Sequence, residues 1–66
     1  MPMLEVHLLA GKSEEQLRTM VSKLTDAMVE SVGAERETVQ VIIDEVPLSH
    51  WAQAGQTAEV ILGGQS

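Results

Sequence analysis

The side chains able to carry charge or hold a metal are few and one-sided. Four cations, Lys12, Arg18, Lys23 and Arg36, stand against ten Asp and Glu, for a formal net charge of −6. Nucleic acid needs a basic face for its phosphates, so this balance excludes it as a partner. It argues equally against an anionic membrane surface. A small anionic ligand fits only if a pocket gathers some of those cations. Lys12 gains from its position, because it directly precedes a predicted helix start and helix N-termini attract anions. Its bland alternative is a solvated lysine. His7 and His50 sit in no cluster with metal-ligand spacing, and the chain has no Cys. A metal centre and a disulfide framework are therefore both unexpected. The Met1-Pro2 start is common in itself, and proline at the second position favours removal of Met1. Trp51, the single tryptophan, is of a type enriched at interfaces.

These residues need elements to position them. Residues 3–9 alternate as a strand, with Leu4, Val6 and Leu8 on one face and Met3, Glu5, His7 and Leu9 on the other. Gly11 breaks it. Residues 14–32 read as an amphipathic helix, because Leu17, Met20, Val21, Leu24, Met28, Val29 and Val32 recur at spacings of three and four. Ser13 and Gln16 form a predicted capping box, Glu14 and Glu15 suit the positive end of the helix dipole, and Gly33 is a stop. Residues 38–45 read as a second strand with Val39, Val41 and Ile43 on one face. A strand, a helix of about five turns and a strand predict a β-α-β crossover with parallel strands, an α/β (α+β) arrangement. Pro47 ends the second strand, 47–56 read as a loop or short turn around Trp51, and 57–62 as a short third strand, so that the chain closes on a short C-terminal strand or hairpin. Residues 63–66 are expected to fray.

Size sets the next constraint. The chain has 66 residues, one domain over 1–66 at most. A domain of about 60 residues buries only about 60% of the surface its unfolded chain exposes. With disulfides and metal set aside, self-association is the remaining support, and the 44% apolar content suits it. One helix covers one face of a two-stranded sheet. The other face, with Met3, Leu9 and Ile42, and the two strand edges then await other copies. No apolar run approaches the ~18 residues of a membrane span, and no signal peptide is recognisable. The cytoplasm is the default location.

Several segments, taken in order, resemble the 4-oxalocrotonate tautomerase family of the tautomerase superfamily. They are Met-Pro at the start, His7 in the first strand, Gly-Lys-Ser-Glu-Glu-Gln at 11–16, Val-Gln-Val-Ile-Ile-Asp-Glu at 39–45 and His-Trp-Ala-Gln-Ala-Gly at 50–55. Each is weak alone, but their order within so short a chain is specific. The resemblance implies enol–keto tautomerisation of a small unsaturated 2-hydroxy or 2-oxo carboxylic acid, with an N-terminal proline amine as base. It also implies a homo-oligomer, a hexamer built as a trimer of dimers, and no cofactor. A base near neutrality must be uncharged yet competent. An α-amine begins at about pKa 8, and an apolar pocket with cations nearby lowers that value.

On this resemblance Pro2 takes the base position once Met1 is removed; with Met1 retained its nitrogen is an amide. Lys12 falls where a carboxylate-binding arginine is usual. Gln40 falls where a second arginine polarises the substrate carbonyl across a subunit boundary. Trp51 falls where an aromatic residue walls the pocket. Lysine at 12 keeps the charge and loses the bidentate fork. Glutamine at 40 loses the charge, and a donor aimed at developing negative charge is worth about 3–4 kcal/mol. Weak activity on dicarboxylates, or a different substrate, is the expectation, with Arg36 as a substitute cation left open. Two alternatives follow. One is a Pro2-dependent hydration, dehalogenation or decarboxylation, with Glu5, Asp44 or Glu45 activating water. The other is a catalytically inactive oligomer subunit.

Overall fold

In the computed structural model, which describes residues 2–63, the polar-to-apolar alternation of the first segment becomes strand β1, Met3–Leu9. After Gly11 the chain enters helix α1, Glu14–Val32. Its start is fixed as the capping box requires: the Gln16 backbone N–H donates to Ser13 Oγ at 3.1 Å, and the Ser13 N–H donates to Gln16 Oε1 at 2.9 Å. At the other end Gly33 adopts φ 71°, a left-handed conformation that glycine enters without penalty, and its N–H donates to the Val29 carbonyl.

Strand β2 spans Gln40–Val46, later than the predicted 38–45. Arg36–Thr38 wind into a single 3₁₀ turn instead, with the Thr38 hydroxyl donating to the Glu35 carbonyl at 2.8 Å. β1 and β2 pair in parallel, from Met3 opposite Gln40 to Leu9 opposite Val46. The β-α-β reading therefore holds. Leu4, Val6, Leu8, Val41 and Ile43 form the half-buried face toward α1, while Met3, Glu5, His7, Gln40, Ile42 and Asp44 are exposed on the other.

The C-terminal arm keeps the expected hairpin but departs from the prediction over 57–62. Leu48–His50 make a 3₁₀ turn, and β3, Ala52–Gln53, pairs antiparallel with β4, Gln56–Thr57. The predicted strand 57–62 is instead helix α2, Ala58–Gly63. Thr57 explains the switch: its hydroxyl accepts from the Val60 N–H at 3.4 Å, as a residue before a helix does. Gly63 closes that helix, and 64–66 of the expected frayed tail lie outside the described residues.

Ala54 and Gly55 form the hairpin turn with φ of 54° and 81°. Two positive φ values in a two-residue loop match the twist of the flanking strands. Alanine enters that region at a cost of about 1–2 kcal/mol, whereas asparagine tolerates it. Ala54→Asn is therefore expected to stabilise the protein by about 0.5–1 kcal/mol, read as a raised thermal midpoint.

The core is thin. Among the described residues Ala58 alone is buried, and Met3, Val32, Ile42, Val60 and Leu62 are each more than half exposed. The radius of gyration is 15.2 Å, against about 11 Å for a compact chain of this length. The accessible surface is 4958 Å², against about 4,100 Å² for a folded monomer of this mass. No helix among the described residues is long and apolar enough to cross a membrane.

Candidate active site

Pro2 stands at the head of β1 and is half-buried. Its carbonyl accepts the Gln40 N–H at 3.0 Å, the first link between the two strands. The strand alternation places Pro2 on the α1 face with Leu4 and Val6, whereas Gln40 stands opposite Met3 on the uncovered face. The two residues are thus backbone neighbours with side chains on opposite sides of the sheet.

Lys12 and Trp51 lie at the other end. Lys12 is exposed, between the end of β1 and the Ser13 cap. Trp51 is half-buried and its carbonyl accepts the Ala58 N–H at 2.6 Å. The Ala10 N–H donates to the Val46 carbonyl at 2.9 Å, which ties this end of the sheet together. Trp51 walls an apolar cavity of about 150 Å³ together with Leu9, Gln53, Ala58, Ile61 and Leu62. Leu9, predicted for the face away from the helix, serves this cavity. Ile61 and Leu62 were not singled out by sequence, because their contribution depends on α2 folding back.

From Met3 to Leu9 a strand rises about 20 Å. Within one chain, Pro2 and Gln40 are therefore separated from Lys12 and Trp51 by the length of the sheet. A pocket that uses all four takes them from more than one copy.

The remaining polar groups sort by face. Arg36 Nη1 donates to Asp26 Oδ1 on α1, so the guanidinium is drawn to the helix side of the sheet, not over Gln40. His7 Nδ1 lies 3.0 Å from Asp44 Oδ2, and His7 Nε2 lies 3.6 Å from Glu5 Oε2. Asp44 enters this cluster through the parallel register, which sets it directly opposite His7. Glu5 and Asp44, two of the three candidate water-activating carboxylates, are thus engaged with His7. Glu45 is exposed near the far end of β2.

A β-α-β unit of this size, with a proline heading the first strand and an aromatic-walled apolar cavity at the far end of the sheet, defines a small α+β class. The chain belongs to the Tautomerase family, whose model, described as "Tautomerase enzyme", matches residues 2–60. A probable tautomerase of Staphylococcus aureus strain Mu50 is 44% identical over 55 residues, which cover 83% of this chain and 90% of the relative. Among solved structures, one from a study of the 4-oxalocrotonate tautomerase isozymes of Methylibium petroleiphilum superposes with a TM-score of 0.87 at 40% identity, covering 91% of this chain and 97% of its own. A heterohexamer 4-oxalocrotonate tautomerase from Chloroflexus aurantiacus J-10-fl matches with a TM-score of 0.84 at 31% identity, over 88% and 94% of the two chains.

Proposed function

We propose that the protein is a tautomerase that moves a proton within a small unsaturated 2-hydroxy or 2-oxo carboxylic acid, working as a homo-oligomer of the hexameric kind. Pro2, freed by removal of Met1, is the base. Its secondary amine takes a proton from an enol hydroxyl or an acidic carbon and returns it to another carbon, so acid and base are one group and no cofactor takes part. Lys12 from another copy pairs with the substrate carboxylate, and Trp51 closes the apolar wall. Gln40 donates an amide hydrogen bond at most, so charge developing on the substrate oxygen is stabilised less than by a cation.

The observation that carries this reading is the likeness, over 91% of the chain, to a structure from a study of 4-oxalocrotonate tautomerase isozymes, together with a half-buried proline heading β1. The test is ketonisation of phenylenolpyruvate, a monocarboxylate, and 2-hydroxymuconate, a dicarboxylate, by protein whose intact mass shows loss of Met1. Acceleration of both is expected, with only weak activity on the dicarboxylate. No acceleration of either over buffer would remove the reading.

A further inference from the structure

We propose, on the tautomerase reading above, that Arg36 anchors the second carboxylate of a dicarboxylate substrate at the Pro2 end of the sheet, and that Asp26 competes with the substrate for it. The topology singles out this residue among the four cations. Lys12 lies where β1 gives way to α1. Arg18, in the N-terminal half of α1, pairs with Glu14 at 3.8 Å near the same end. Lys23 is exposed in the middle of α1. In a parallel β-α-β unit the helix runs back against the strands, so the turn after it returns to the end where both strands begin. Arg36 sits in that turn.

Its backbone is tied to Pro2 by short steps. The Val39 N–H donates to the Arg36 carbonyl at 3.3 Å, and the next residue, Gln40, donates to the Pro2 carbonyl at 3.0 Å. The side is also right. Asp26 draws the guanidinium toward α1, and Pro2 alternates onto the α1 face of the sheet. Gln40 is on the opposite face. Within one chain, then, the cation that shares a side and an end with Pro2 is Arg36.

The ion pair is built to be exchanged. The two side chains are 52% and 48% exposed, and pairs this open to solvent contribute little to stability. Only Nη1 of the five-donor fork makes a contact among the described residues. A substrate carboxylate that engages two donors at once is geometrically better matched. Glu35 and Glu37 flank Arg36 in the sequence, and Glu30 lies on α1 one turn beyond Asp26. With Arg36 held by Asp26, this end repels an anion; with Arg36 released, it binds one. On this arrangement activity on a dicarboxylate is expected to be weak and not absent.

Binding alone tests this, so a failure of proton transfer at Pro2 would not obscure the outcome. Fumarate, an inert dicarboxylate, and crotonate, its monocarboxylate counterpart, are titrated into the assembled protein by NMR, for wild type, Arg36→Ala, Arg36→Lys and Asp26→Asn. Circular dichroism checks that each variant is folded. Arg36→Ala is expected to weaken fumarate by about tenfold, the worth of one charge-assisted hydrogen bond, with Arg36→Lys in between. Asp26→Asn is expected to tighten fumarate severalfold. Crotonate should move by less than about twofold in every case. The opposite signs are diagnostic, since a merely structural pair gives losses in the same direction from either side. Loss of fumarate affinity in both Arg36→Ala and Asp26→Asn, or an unchanged affinity in Arg36→Ala, overturns the proposal.

Discussion

Changing Pro2 to alanine is expected to lower kcat/KM for ketonisation by about 10²–10⁴-fold, the usual worth of a positioned general base. The loss should fall on the chemistry and spare the fold. The Pro2 group that the structure uses is its carbonyl, which accepts from Gln40, and alanine keeps it. An alanine amine remains at the chain start, so some residual rate is expected; it is a primary amine, less basic than proline's secondary one. A form that retains Met1 should lose activity more completely, because an amide nitrogen has no basic lone pair. Intact mass and rate measured on the same preparation decide the matter. Equal rates for wild type and Pro2→Ala would show that the base lies elsewhere.

Placing a charge at Ile42 is expected to dissociate the assembly and, with it, the fold. Ile42 is 51% exposed on the face of the sheet away from α1. On a solitary stable chain such a surface change would be worth within about ±0.5 kcal/mol. This chain on its own has little core, with Ala58 alone buried among the described residues and a surface large for its mass. If other copies cover the uncovered face, Ile42→Lys buries an unpaired charge, at about 3 kcal/mol or more. For a domain this small that lowers the thermal midpoint by more than about 10 °C. Sedimentation velocity and melts at several concentrations read both effects. A variant that stays assembled with an unchanged midpoint would mean that this face is not an interface.

The β-α-β frame was legible because local chemistry and periodicity agreed. The stripe from Leu17 to Val29, the Ser13–Gln16 box and Gly33 each point to the same helix, and the two flanking strands alternate cleanly. The arm was not. Its turn is Ala54-Gly55, without the asparagine or aspartate that advertises a tight hairpin. Val60 and Ile61 are β-branched, so 57–62 reads as strand until Thr57 is seen to cap a helix. At the site, the chemical types were legible and their distances were not. Nothing in the spacing shows that Pro2 and Lys12 are separated by the whole sheet, since that follows from the crossover. The pairing of Arg36 with Asp26 likewise depends on α1 returning alongside β2, and ten positions of sequence separation conceal it.

The contact of His7 with Asp44 acts as a register pin. It joins the two strands midway along an otherwise plain apolar alternation. A slip of one residue turns a whole strand inside out and is penalised at every position. A slip of two keeps the apolar face in place and is the error such a pattern permits. Here that slip sets His7 against Ile42 or Val46, neither of which can accept its hydrogen bond. The imidazole thereby gives a two-stranded sheet with little core of its own a single preferred alignment before any neighbour arrives.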